Sequence, residues 1–132
     1  MSATPDATGT EATASGWHPL CRSADLRAGA EAVPFEVRWR GHVCRAFAVR
    51  YRGGVYGYLN RCSHVGLELD WQPNRFFDLT GQWLVCAAHG ALFDPASGRC
   101  VAGPGRGPLQ AIEMREADGW VYWRSRYDLQ PV

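Results

Sequence analysis

The 132-residue sequence predicts an all-β fold, an antiparallel sandwich or small barrel. Three observations lead there. No segment carries a long apolar repeat of about 3.6 residues. Short alternating stretches rich in Val, Phe, Tyr and Trp recur instead. Glycine-bearing turn signals separate them. The length suits one domain with a real core and is too short for two.

Residues 1–16, "MSATPDATGTEATASG", are small and polar and read as a disordered tail. Residues 17–132 form the single domain. "WHPLC" (17–21) predicts a short first strand. "SADLRAG" (23–29) offers an N-cap serine, one turn of helix and a glycine stop. "VPFEVRW" (33–39) alternates and predicts a strand, and Arg40-Gly41 makes the turn after it. "HVCRAFAVRY" (42–51) alternates again, with Val43, Phe47 and Val49 on one face. Gly53-Gly54 predicts a tight hairpin, and "VYGYLN" (55–60) is its returning strand. "GPGRGP" (103–108) suits neither helix nor ladder strand. "LQAIEMRE" (109–116) and "WVYWR" (120–124) flank Asp118-Gly119, a strong hairpin turn.

Composition excludes several function classes. The net charge of +1 gives no footprint for nucleic acid or an anionic membrane. All fourteen basic residues are arginine, which reflects composition bias in a chain also rich in Ala and Gly. The start has no basic n-region and no apolar run, and no stretch approaches the roughly 18 apolar residues of a membrane helix. These features predict a cytoplasmic protein. Five cysteines, an odd number, favour metal ligation or burial over a disulfide framework in a reducing compartment.

Two of the four histidines lie close behind cysteines: "CSH" at Cys62 and His64, and "CAAH" at Cys86 and His89. Thiolate and imidazole are zinc ligands, and thiolates hold iron–sulfur clusters. Each pair leads into a glycine, Gly66 or Gly90, so two loops at one end of a sheet supply four ligands. A tetrahedral zinc site is one reading. Zinc fingers, however, place both cysteines in one pair and both histidines in the other. Mixed pairs suit a two-iron cluster to which each loop gives one ligand per iron.

"CSH" followed by "CAAHGALFDPASGRCVAGP" resembles the Rieske [2Fe–2S] pattern, and the resemblance extends over about residues 17–124. It implies a Rieske-like sandwich or barrel with a small cluster-binding subdomain, formed by two loops around residues 61–108. It implies one [2Fe–2S] cluster per chain, with Cys62 and Cys86 on one iron and His64 and His89 on the other. Phe93 and Asp94 would brace the second loop, and Pro104 would lie in a loop covering the cluster. Two thiolates and two sulfides neutralise two ferric ions, whereas four thiolates would leave a dianion. A neutral centre accepts an electron more readily, so histidine ligation raises the potential to roughly −150 to +300 mV from about −400 mV.

Departures sharpen this expectation. Respiratory Rieske proteins carry an extra cysteine in each loop and join them by a disulfide. Leu67 and Ala88 stand there in this chain. Hydroxyls that bond the sulfurs in those proteins are replaced by Ala91 and Phe93, which predicts the lower half of the range. The segment "DWQPNRFFDLTGQW" (70–83) lengthens the interval between the ligand pairs.

The resemblance implies a non-enzymatic electron carrier, a Rieske ferredoxin passing single electrons from a flavin-type reductase to a terminal oxygenase. An oxygenase α-subunit would continue into a large mononuclear-iron domain beyond the position of Val132, so a complete oxygenase is not expected. Two alternatives remain: a small, non-catalytic subunit beside a reductase large subunit, as in nitrite reductase, or a structural Cys2His2 zinc module. Cys21, Cys44 and Cys100 are expected to be buried or half-buried, and His18 and His42 to be surface or strand-end residues. Trp71, Phe76, Phe77 and Trp83 are expected to form a local core under the long loop. Glu68 and Asp70 are either steering charges or solvated ones, and Arg106 a solvated loop residue.

Overall fold

The computed structural model describes residues 16–29, 31–61, 68–70, 72, 74–87, 90–103 and 107–132. Eleven strands are present among them: β1 (Trp17–Arg22), β2 (Val33–Trp39), β3 (His42–Tyr51), β4 (Gly54–Leu59), β5 (Leu84–Val85), β6 (Leu92–Phe93), β7 (Cys100–Ala102), β8 (Ala111–Ile112), β9 (Met114–Ala117), β10 (Trp120–Arg124) and β11 (Leu129–Pro131). They make three antiparallel sheets, ordered β1-β10-β9, β11-β2-β3-β4-β8 and β5-β6-β7. No helix among the described residues is long and apolar enough to cross a membrane.

Two-residue turns set the registers. Arg40-Gly41, Arg52-Gly53 and Asp118-Gly119 all have positive φ at both positions, the geometry whose twist matches paired strands. The second of these lies one residue earlier than the expected Gly53-Gly54 turn, because Gly54 already pairs with Tyr51. The first and third fall where the sequence places them.

Four other expectations shift. Gly16 belongs to the fold, not to the tail: its carbonyl accepts Ser125 N at 2.8 Å. The helical turn is a 3₁₀ turn over Ser23–Asp25, with Arg22 in the N-cap place expected for Ser23. The Arg22 backbone N–H donates to Asp25 Oδ2 at 3.2 Å. The expected strand 109–116 divides at Glu113: β8 pairs with β4, whereas β9 pairs with β10. One continuous stretch of sequence thus crosses between two sheets. The short β11 has no counterpart among the expected strands and completes the edge beside β2.

The central sheet is buried on both faces. Ala46 and Ala48 of β3 face one way, toward Val37, Leu59, Ile112, Val121, Trp123 and Leu129. Phe47 and Val49 face the other way, with Tyr58, toward Leu69, Phe76, Leu84, Cys86, Ala91 and Phe93. Hence β3 has four consecutive buried residues where a half-buried strand shows alternation. Val43 shares the Phe47 face but is 51% exposed, because the second layer covers only the far end of β3.

Arg50 ties the edges together. Its guanidinium bonds Glu116 at 2.7 and 3.2 Å and donates to the carbonyls of Leu26 and Ser23. The hydrogen bonds from Arg50 hold the Glu116 carboxyl below its ordinary value. A depressed carboxylate stabilises the fold above its unfolded pKa, and this is lost as pH falls through the folded value. Glu116→Gln is therefore expected to cost about 1 kcal/mol in urea unfolding at pH 7. The gap to the parent should close as pH drops below about 4.

Candidate metal centre

Of the four candidate ligands, Cys86 lies among the described residues; Cys62, His64 and His89 lie outside them. Gly66, Leu67, Trp71, Ala88, Pro104 and Arg106 lie outside as well. The bases of the loops that carry the candidate ligands lie among the described residues.

The first loop leaves β4 at Asn60 and returns at Leu69. These ends are joined by a side chain: Leu69 N donates to Asn60 Oδ1 at 2.7 Å. Asn60 Nδ2 in turn donates to Asp70 Oδ1 at 3.1 Å. The second Asp70 oxygen accepts Asn74 N at 3.0 Å. Asp70 is thus a structural acceptor, not a steering charge. Glu68 pairs with Arg45 at 3.3 Å, both half-exposed, in an ion pair of small energetic weight.

The second loop leaves β5 at Cys86, whose side chain is 0% exposed. Cys86 N donates to Ala91 O at 2.9 Å and Gly90 N to Cys86 O at 2.8 Å, so the two ends of this loop are bonded to each other just before β6. The next residue links the two loops: Ala87 N donates to Leu69 O at 2.9 Å. The chain segment leaving Cys86 is therefore bonded to the segment that follows Cys62 and His64.

Further ties hold this layer on the central sheet. Phe93 is buried in the core beneath the second loop. Asp94 closes the β6–β7 turn, its Oδ1 accepting Ala96 N at 2.9 Å and its carbonyl accepting Gly98 N at 2.7 Å. The Asp94 bonds thus stay within the β6–β7 turn, and only Phe93 packs in one core cluster with Cys86 and Ala91 of the second loop. Tyr58 of β4 donates its hydroxyl to Pro95 O at 2.7 Å across the layers. Burial raises the Tyr58 phenol well above its ordinary range, so it remains a donor.

Gly103 marks where the third loop begins. Its φ is +88°, and a Cβ there would lie 2.7 Å from Ala91 Cα. That contact is with backbone, which cannot rotate away. Gly103→Ala is expected to destabilise the protein by about 2 kcal/mol or more, seen as a lower urea midpoint. Gly41→Ala is the comparison: positive φ again, but nothing within 4 Å of the added carbon.

The long segment before β5 is folded back, not loose. Asp78 N donates to Trp83 O, and Val85 N to Phe76 O, so it forms a hairpin beside β5. Phe76 stacks on Phe47 with ring centroids 3.7 Å apart. Phe76 and Phe77 belong to the main core of this layer, and Trp83 is half-buried.

The remaining cysteines and histidines match their expected settings. Cys21, Cys44 and Cys100 are half-buried, and burial pushes the Cys21 thiol to about 11. His18 bonds Ser125 Oγ at 3.0 Å and packs on Trp123. His42 is an exposed strand-end residue.

Of the four side chains that a cluster of mixed ligation would need, the described residues place one, the Cys86 thiol, in a setting that suits a thiolate ligand. A wholly buried thiol ends one loop base, and a backbone hydrogen bond ties that base to the loop bearing the other cysteine and its histidine. Among the described residues no three metal-binding side chains converge, as only one of the four candidates is among them. Sequence reasoning singles out neither Asn60 nor Tyr58 nor Gly103 as a residue of the site. Asn60 has a visible signal: a polar residue closing an apolar strand directly before the first ligand pair.

Comparison with known proteins gives a consistent result. The Rieske [2Fe-2S] domain profile matches residues 16–113. No curated protein sequence matches at a significant level. Among solved structures, the ferredoxin of carbazole 1,9a-dioxygenase from Nocardioides aromaticivorans IC177 aligns with a TM-score of 0.64 and 23% identity. That alignment covers 85% of this chain and 100% of that chain. A complex of reduced oxygenase and oxidized ferredoxin in carbazole 1,9a-dioxygenase aligns with a TM-score of 0.64 and 23% identity, over 83% of this chain and 94% of that chain. The terminal oxygenase from the same Nocardioides strain also has a TM-score of 0.64, at 20% identity, over 89% of this chain and 32% of that chain. This chain thus spans about a third of that oxygenase. At these identities the structures speak for the fold. The profile covers most of the chain, including both cysteine–histidine pairs, and on that ground the chain belongs to the Rieske [2Fe-2S] domain family.

Proposed function

We propose that this protein is a one-electron carrier, a Rieske ferredoxin that takes electrons from a flavin-type reductase and passes them to a terminal oxygenase in the cytoplasm. One [2Fe–2S] cluster per chain would be held by Cys62 and Cys86 on one iron and by His64 and His89 on the other. When bound, the cluster stores a single electron at a potential raised by its imidazole ligands. The chain's own residues do the rest. Asn60 and Ala87 hold the two loop bases together, and the Phe47–Tyr58 face gives them a rigid floor.

The Ala87–Leu69 hydrogen bond carries this reading, because it couples the two ligand-bearing segments at one end of the sheet. The likeness to the whole of a dioxygenase ferredoxin supports the carrier role and the oxygenase partner. Ala91 and Phe93, both buried, offer no hydroxyl to the sulfurs, which supports a potential in the lower half of the Rieske range.

Anaerobic redox titration with optical and electron-paramagnetic spectroscopy tests the proposal. The expected protein is red-brown, bleaches with dithionite, takes up one electron per chain and has a midpoint between roughly −150 and +75 mV. A colourless, zinc-loaded protein would refute it. Capture of a flavin reductase or an oxygenase from the native host would support the partner assignment, and capture of a reductase large subunit alone would replace it.

A further inference from the structure

Asn60 is the only amide or charged side chain buried among the described residues, at 6% exposure. A buried amide is costly unless its oxygen and nitrogen are both partnered. Here both are, and the partners dictate its orientation. The Asp70 carboxylate only accepts, so it fixes Nδ2 toward itself and turns Oδ1 toward the Leu69 N–H. Asp70 is held in turn by Asn74 N. The Asn60 backbone is anchored to the sheet through its N–H on Arg45 O at 2.9 Å. Its side chain thus replaces strand pairing where the chain departs from β4 and returns at Leu69. Leu69, the residue it grips, accepts the N–H of Ala87 beside Cys86.

We propose that Asn60 is a positioning residue for the cluster: its side chain, oriented by Asp70, sets where the segment bearing Cys62 and His64 meets the segment bearing Cys86. The role rests on the cluster ligation proposed above. It makes residue 60 a determinant of iron retention, beyond its share in fold stability.

The test compares cluster-loaded wild type with Asn60→Ala, Asn60→Asp and the exchanged pair Asn60→Asp with Asp70→Asn. Asn60→Asp keeps the shape but sets one carboxylate against another. Adding Asp70→Asn restores a donor between the two positions and keeps acceptors for Leu69 N and Asn74 N. Val37→Ala is the control: it opens the opposite core, where Val37 is fully buried, without touching either loop. Two readouts are followed beside the thermal midpoint: the rate at which a ferric chelator removes iron, and amide hydrogen exchange at Leu69.

Asn60→Ala and Asn60→Asp are expected to lose iron about tenfold faster and to exchange the Leu69 amide faster by a similar factor. The exchanged pair should return both to within about threefold of wild type. Val37→Ala should melt lower yet release iron at the wild-type rate. The role is overturned if Asn60→Ala releases iron no faster than Val37→Ala, or if the exchanged pair is as leaky as Asn60→Asp alone. Wild type that binds no cluster overturns the proposed function instead, and the positioning role with it.

Discussion

Cys86→Ala is expected to yield a colourless protein that keeps its β-sheet fold. The substitution removes one buried sulfur, a loss of about 1–2 kcal/mol, modest against a domain's stability. The turn that follows is held by the Cys86 backbone N–H and C=O, which alanine retains. The metal site, by contrast, loses a proposed thiolate ligand, and the alanine methyl offers the iron no donor in its place. Iron per chain should fall to near zero while the far-ultraviolet dichroism stays β-like. Cys100→Ala provides the comparison. Cys100 lies in the same layer, half-buried, with its thiol directed to Ala102 O at 3.5 Å, and its removal should leave the colour intact. A coloured Cys86→Ala beside a bleached Cys100→Ala would reverse the ligand assignment.

Phe47→Ala is expected to be the most damaging core substitution. Its ring is fully buried, lies 3.7 Å from Phe76 and 6.0 Å from Tyr58, and forms the floor under the loop-bearing layer. Truncating a buried phenylalanine costs about 3–5 kcal/mol. For a domain of this size that lowers the thermal midpoint by about 10–20 °C. Leu79, 97% exposed at the tip of the long hairpin, is the contrasting apolar position. Leu79→Ala should move the midpoint by less than about 2 °C. Circular-dichroism melts of the metal-free proteins decide the matter. A shift for Phe47→Ala as small as that for Leu79→Ala would mean that the second layer does not rest on this ring.

Much of the sheet was legible because its turns announce themselves. Arg40-Gly41 and Asp118-Gly119 adopt the paired positive φ that only a few residue combinations tolerate, and the strands beside them fall in register. Gly53-Gly54 misled by one position because adjacent glycines allow the turn in two places. The division at Glu113 was hidden for a different reason. Alternation along one chain shows which residues share a face, not which sheet receives them. β11 is three residues long with one buried side chain, Leu129, too little pattern to read.

A candidate ligand set could be named from the sequence because thiol and imidazole seldom recur together at such short spacings unless a metal needs both. The Asn60 clamp was not. A bond from a side chain to the distant backbone amide of Leu69 leaves no periodic trace, and its meaning emerges only when the burial of the amide and its two partners are seen together.

The sharing of β3 and β4 between two cores has a consequence for anyone wishing to transplant the loop-bearing part of this Rieske domain. A peptide cut out from residue 60 to residue 109 would leave behind Phe47, Val49 and Tyr58, the wall against which its own apolar side chains rest. A graft into another scaffold must therefore carry that two-stranded wall with it, alanines on one side and aromatics on the other. The host must supply an apolar surface for the alanine side.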